Sequence, residues 1–310
     1  MSEENDIQTV AVIGAGAVGA FYGAKLQAAG LKVEYQSKKA ASILKTKKLK
    51  IKSIWGDFNI QANFYKTPEE MNKADLIIVS SKVLPDIDFF KLIKPVMHSK
   101  SIILMMQNGI NEEEKLAQKI KKNIILGGLA FTCINRNHPN EIVHLDYGLI
   151  RIGSIEKKDL ATAQKISDIF IKAGIKCEAA YPLRAIRWQK LLWNVPFNSL
   201  SVICGGADTK VLTSSDDALI LVNQLMKEIQ KIAKSEKVNI PDNDITTMIT
   251  RTNKMKPYKT SMLLDFEQKR PMETETILGE PLRIAHEKKI NVPVLSTVYH
   301  LLKTIEKNYI

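Results

Sequence analysis

A chain of 310 residues is long enough for roughly two domains of ordinary size. With 45% hydrophobic and 25% charged residues it is not a disordered polymer, and no apolar run approaches the ~20 residues of a membrane-spanning helix. The net charge of +12 comes from lysines scattered in groups such as "KTKKLKIK", "IKKN" and "HEKK" with no aromatic interleaving. That pattern fits a solvated surface that modestly attracts a phosphorylated cofactor, and argues against nucleic acid or membrane as a partner.

The opening "MSEENDIQ" is acidic and polar and carries no secretory signal, so a cytoplasmic enzyme is expected. Cys133, Cys177 and Cys204 form no CxxC pair, and the five histidines offer no metal-ligand spacing, so neither a disulfide frame nor a metal site is expected.

In chain order, "TVAVI" reads as a short buried strand, and "AVGAFYGAKLQAAG" as an alanine-rich helix closing at Gly30. "LKVEYQ" alternates like a second strand, which completes a βαβ unit. "ADLIIVSSK" and "SIILMMQNG" read as further buried strands, and "PDIDFFKLIKPVM" and "NEEEKLAQKI" as helices between and after them. Alternation of this kind predicts a parallel sheet covered on both faces. Residues 124–153 turn strand-like and irregular, "DLATAQKISDIFIKAG" is an amphipathic helix, and "IKCEAA" a final strand. After Tyr181 the periods are long and helical, through "DDALILVNQLMKEIQKIAKSEK", "METETILGEPLRIAHEKK" and "LSTVYHLLKTIEK". The expected fold is therefore α/β: a Rossmann-type doubly wound sheet over 1–180 and an all-helical domain over 181–310.

Between the first strand and helix lies Gly14-Ala15-Gly16-Ala17-Val18-Gly19. In a dinucleotide turn the first glycine permits the tight bend, the second lets the backbone approach a diphosphate, and the third allows close helix–strand packing. The helix N-terminus then offers unpaired N–H groups to the anion. NAD-binding chains usually place an acid ~20 residues on, at the tip of the second strand. Here that tip reads Ser37, Lys38, Lys39, while Glu34 sits earlier. A hydroxyl and two ammonium groups suit a 2′-phosphate, so NADP (NADPH) is favoured over NAD; ordinary surface lysines are the bland alternative.

In "RWQKLLWNVPFNSL", Lys190, Asn194 and Asn198 recur every fourth residue along an otherwise apolar helix, drifting only about 40° per step. A lysine partly desolvated by Trp188, Leu191 and Trp193 would have its pKa lowered enough to serve as an acid, and the amides would hold substrate oxygens. A snorkelling edge lysine explains the spacing equally well.

The chain resembles the ketopantoate reductase (2-dehydropantoate 2-reductase) family along essentially its whole length. The likeness is carried, in the family's order, by "GAGAVG", the strand end "VSSK" with Lys82, "QNG" with Asn108, "KLLWNVPFN", and "SM" followed by an acid. It implies NADPH-dependent reduction of a 2-oxo acid, ketopantoate first, in pantothenate and coenzyme A biosynthesis. By that likeness Lys190 is the proton donor, Asn194 and Asn198 contact substrate or position the lysine, and Asn108 lies where nicotinamide and substrate meet. Lys82 approaches cofactor or substrate, Ser261 binds the substrate carboxylate, and Glu273, twelve residues later, engages the hydroxyl or orients the lysine. Glu275 competes for that last role from a different helix face.

Tyr258 and Leu278 depart from asparagines common in the family, and Pro196, between the two amides of the lysine helix, tends to kink its axis. Those departures leave a related reductase of another oxo acid as an alternative. A non-catalytic NADP-binding protein is a second alternative, disfavoured because Lys190, Asn108, Ser261 and Glu273 occur together. The β-hydroxyacid dehydrogenases share the lysine–asparagine spacing, but their glycine-rich substrate loop is not evident. A homodimer is left open.

Overall fold

The structure is a computed structural model that describes residues 7–44 and 48–309. The acidic tail 1–6, on which the cytoplasmic expectation rests, and residues 45–47 of the first lysine group lie outside the described residues. Two compact units are formed. One comprises the chain as far as Gln107 together with Glu112–Leu183; the other joins Asn108–Asn111 to Arg184–Ile310.

The first unit is organised by β1 (Thr9–Ile13), whose apolar residues are needed on both faces. Val10 and Val12 enter one buried cluster and Ala11 and Ile13 the other, as successive strand residues must. From β1 the chain passes into α1 (Ala17–Ala28) and β2 (Lys32–Gln36), then α2 (Lys38–Ile43). Gly30, just past α1, takes a φ of +102° and closes the helix as its position suggests.

Three strands follow that the sequence did not announce: β3 (Leu49–Ser53), β4 (Phe58–Ile60) and β5 (Asn63–Tyr65). β3 begins inside "KTKKLKIK" and runs one residue past it. Leu49 and Ile51 are buried while Lys50 and Lys52 are exposed, so a period-two strand is hidden in a lysine-rich tract.

Next come β6 (Leu76–Val79), α3 (Phe89–Ile93), β7 (Ile102–Met105) and α4 (Glu112–Lys119). The helix expected over "PDIDFFKLIKPVM" is cut to five residues. Asp88 caps it by accepting from the Phe90 and Lys91 amides, and Pro95 diverts its end into a 3-10 turn over Lys94–Val96. The sheet continues into β8 (Ile125–His138) and β9 (Glu141–Ser154), then α5 (Leu160–Lys172) and β10 (Cys177–Ala180).

The strand order is β4-β3-β9-β8-β7-β6-β1-β2-β5, with β10 also on β9. From β5 through β8 every neighbour is parallel, with Thr9 opposite Lys32 on one side of β1 and Val10 opposite Leu76 on the other. The expected parallel sheet is present, and antiparallel strands extend it at its far side. The irregular segment 124–153 is a long antiparallel hairpin, and β3–β4 is antiparallel as well.

The second unit is helical. It contains α6 (Leu183–Ile203), α7 (Thr209–Ser214), α8 (Asp216–Ser235), α9 (Asp242–Lys254), α10 (Ser261–Glu267), α11 (Glu280–Glu287) and α12 (Pro293–Tyr309). One apolar cluster fills it, built on Trp188, Phe197, Leu225, Ile229, Leu263 and Leu302. Buried Glu228 on α8 accepts from the Val294 and Leu295 amides, so a carboxylate satisfies the first donors of α12. Helix α6 runs unbroken through Pro196. Between Glu273 and α11 a rare π-helical turn, Glu275–Gly279, interrupts the expected single helix. Leu278 is fully buried in the apolar cluster of this unit. Among the described residues no helix is long and apolar enough to cross a membrane.

Candidate active site

Within the first unit the glycine turn is held from three directions. The amide of Gly14 donates to Gln36 Oε1 (3.0 Å) and that of Ala15 to the Gln36 carbonyl (2.8 Å), tying the turn to the end of β2. Ser80 Oγ, just after β6, donates to the Gly14 carbonyl (3.0 Å), and its amide donates to Ile13 O (2.8 Å). The third tie is Arg136 on β8, whose Nη2 donates to the carbonyls of Ala15 (2.9 Å) and Gly16 (3.0 Å).

The three glycines differ in what a Cβ would meet. At Gly14, with φ +72°, it would overlap the Ser81 side chain and backbone. At Gly19 it would overlap Ser80 and press on Val12 of β1 at 3.0 Å. At Gly16 the nearest atom is the Gly14 carbonyl oxygen at 3.8 Å. Two glycines are thus required by the protein's own packing, and the middle one is not. Its small size serves whatever approaches from outside, which is the division of labour a diphosphate site needs. Ala17 and Val18 open α1, and no side chain caps that end. The residues present fit a bound dinucleotide.

At the tip of β2, Ser37 caps α2 by accepting from the Ala40 amide (3.3 Å). Lys38 and Lys39 are exposed on the first turn of that helix. Glu34 accepts from Tyr65 Oη (3.2 Å) and from the Asn72 amide and Nδ2 (2.8 and 2.7 Å), so the acid of β2 is already engaged. Lys82 follows β6 and is half-buried. Gln36, Ser80, Ser81 and Arg136 were not singled out in the sequence. Ser80 and Ser81 stand beside Lys82 in "VSSK", but only folding shows that they face the glycines. Arg136 carries no local signal at all.

Within the second unit, α6 places Lys190 half-buried between buried Trp188 and Leu191. Burial pushes its ammonium down to about 7; the like charge of Arg187, one turn earlier, adds to this, and the Glu273 carboxylate opposes it. Glu273 is itself buried and accepts from Asn108 Nδ2 (3.1 Å). The "QNG" turn reaches it because Thr276 Oγ1 donates to the Asn108 carbonyl (3.3 Å), while Gly109, with φ +92°, packs where any Cβ would overlap Thr276. The structure therefore brings Lys190, Glu273 and Asn108 together.

Glu275 is occupied elsewhere. Burial pushes its carboxyl up, yet hydrogen bonds from Lys303 (3.0 Å), Tyr299 (2.9 Å) and Arg283 (3.2 Å) hold it below the usual carboxylate range. Asn194 and Asn198 are both buried, and Asn198 Oδ1 has no hydrogen-bond partner among the described residues. Trp193 points its Nε1 at Thr252 Oγ1 (3.0 Å) and stacks on Phe197. Ser261 is exposed at the first position of α10 and makes no hydrogen bond to Lys190, Asn108 or Glu273. Thr260 before it is buried, caps α10 and shares a hydrogen bond with Ser201 (2.7 Å). Tyr258 is half-buried, with its amide and carbonyl both bonded to Thr209.

The family described as Ketopantoate reductase PanE/ApbA matches residues 10–157, and its C-terminal counterpart, Ketopantoate reductase PanE/ApbA C terminal, matches 182–306. A 2-dehydropantoate 2-reductase of Nostoc sp. is 39% identical over 96% of this chain and 94% of its own. Among solved structures, the 2-dehydropantoate 2-reductase of Geobacter metallireducens is 32% identical with a TM-score of 0.91, covering 96% of this chain and 99% of its own. A D-mandelate dehydrogenase solved with NADH and anilino(oxo)acetate shares the fold at 19% identity and a TM-score of 0.87, covering 97% of this chain and 99% of its own. The chain belongs to the ketopantoate reductase family of NAD(P)-dependent oxidoreductases.

Proposed function

We propose that this protein reduces 2-dehydropantoate to pantoate with NADPH, with Lys190 as proton donor. The observation that carries the reading is the Lys190 ammonium, brought to about 7 beside the Asn108–Glu273 pair. The 39% identical relative named for this reaction supports the choice of substrate.

The bound dinucleotide supplies the hydride that the carbonyl carbon accepts. As the carbonyl oxygen gains alkoxide charge, Lys190 Nζ gives it a proton. A pKa near 7 keeps the ammonium populated at neutral pH while letting its proton leave readily. Glu273 favours the charged lysine, and Asn108, donating to Glu273 Oε2, orients that carboxylate. Asn194 and Asn198 hold substrate oxygens; the buried Oδ1 of Asn198 suits a substrate hydroxyl. Ser261, exposed at the start of α10, takes the carboxylate. Lys82 serves the cofactor.

Preference for NADPH is assigned to Ser37, Lys38 and Lys39. Ser37 Oγ accepts from Ala40 and keeps its own proton to donate, and the two exposed ammonium groups supply charge for a 2′-phosphate. The test is a panel of 2-oxo acids assayed with NADPH and NADH, on the wild type and Lys38→Glu. Ketopantoate with NADPH should rank first, and Lys38→Glu should weaken NADPH about 10-fold while leaving NADH nearly unchanged. Ketopantoate ranking poorly would move the assignment to a related reductase of another oxo acid. Equal losses for both nucleotides would remove the 2′-phosphate contact.

The pH profile is a separate check. Reduction requires the ammonium, so kcat should fall ~10-fold per pH unit above about 7, while the reverse oxidation, which needs the neutral amine, should rise as pH approaches about 7 and level off above it. Glu273 raises the lysine pKa, so Glu273→Gln should move the midpoint to lower pH. A midpoint unmoved by that substitution would separate Glu273 from Lys190.

A further inference from the structure

The glycine turn has a partner that the dinucleotide reading does not use. Arg136 lies near the end of β8, some 120 residues from the turn it touches. Its guanidinium donates to three carbonyl oxygens, those of Ala15, Gly16 and Pro139. Among the described residues no carboxylate pairs with it, and burial pulls it down to about 10. A half-buried cation surrounded by neutral acceptors is incompletely compensated; a nearby anion stabilises it.

The carbonyls it holds matter for direction. In a planar trans peptide the N–H points opposite to the C=O. Fixing the Gly16 oxygen therefore fixes the Ala17 N–H, one of the first donors of α1, which no side chain caps. The same turn is the one in which Gly16 leaves open the approach that its neighbours close.

We infer that Arg136 is a positioning residue for the cofactor's diphosphate: it holds the Ala15 and Gly16 carbonyls so that the N–H groups opening α1 face the phosphates, and its charge balances theirs. This rests on the reading of the turn as a dinucleotide site. The chemistry is that of Arg: Nη2 of its planar fork holds both turn carbonyls while Nη1 is anchored on the Pro139 carbonyl, an arrangement a lysine ammonium cannot reproduce in the same geometry.

The experiment measures dissociation constants by titration calorimetry, without turnover, for NADPH, ADP-ribose and 2′-AMP on wild type, Arg136→Gln and Arg136→Lys. ADP-ribose retains the diphosphate and 2′-AMP lacks it. Arg136→Gln should weaken NADPH and ADP-ribose by roughly 10- to 100-fold and leave 2′-AMP unchanged. Arg136→Lys should recover part of the loss, and the dependence of NADPH binding on salt should become shallower in Arg136→Gln. Wild-type NADPH affinity in Arg136→Gln, or an equal loss for 2′-AMP, overturns the inference. If Arg136→Gln does not fold, Arg136→Lys decides: an intermediate loss confined to the diphosphate ligands supports it, and wild-type affinity overturns it. Failure of the wild type to bind either NADPH or ADP-ribose would instead refute the dinucleotide reading beneath it.

Discussion

Lys190→Ala is expected to lower kcat for reduction by about 10²- to 10⁴-fold while the dissociation constant of NADPH stays close to that of the wild type. The argument has two parts. The alkoxide formed by hydride addition needs a proton from a group of pKa near the working pH, and Lys190, at about 7, meets that requirement. Nucleotide binding is assigned to the glycine turn, Ser37 and Lys38, which this substitution leaves intact, so NADPH affinity is expected to stay near that of the wild type. Lys190→Arg should fare no better, because a guanidinium stays protonated at neutral pH and is a poor donor. Turnover preserved in Lys190→Ala would exclude the lysine as the acid.

The same lysine has a thermodynamic signature. Its folded pKa lies below the unfolded value of 10.5, so between about 7 and 10.5 the unfolded chain binds more protons and wild-type stability rises with pH. Lys190→Met, which removes the buried charge, should be more stable than wild type at neutral pH, with the gap narrowing as pH climbs through that window. A gap independent of pH would mean that the ammonium is not desolvated in the folded protein.

Gly14→Ala and Gly16→Ala should fail in opposite ways. A methyl at Gly14 requires a non-glycine residue at φ +72° and overlaps Ser81, backbone included. Positive φ and overpacking together predict a loss of about 2–6 kcal/mol in the stability of the free protein, and the turn would be displaced with it. A methyl at Gly16 meets nothing closer than the Gly14 carbonyl oxygen at 3.8 Å, so stability should change by no more than about 0.5 kcal/mol. NADPH affinity should nonetheless fall, because that methyl stands where the diphosphate approaches the backbone. Thermal melts of the free proteins and nucleotide titrations read the two effects separately. Wild-type affinity in Gly16→Ala would show that the turn binds no phosphate.

What the amino-acid sequence determined by itself was local and periodic. A β-rich run, three spaced glycines and an alanine-rich helix specify strand, turn and helix through backbone sterics and near-neighbour packing, and they do so within a single βαβ unit. The spacing of Lys190, Asn194 and Asn198 likewise needed only the pitch of a helix, and α6 keeps that pitch through Pro196. β3 escaped notice because the exposed partners of Leu49 and Ile51 are lysines in a tract that reads as surface.

Only the tertiary structure decided the relations between distant residues. Asn108 meets Glu273 across 165 positions, Glu273 rather than Glu275 remains for the lysine, and Arg136 reaches the glycine turn from the far end of a hairpin. The physical reason is common to all three. The strength of a buried charge or hydrogen bond depends on which groups share its low-dielectric surroundings, and chain folding, not sequence separation, chooses those groups.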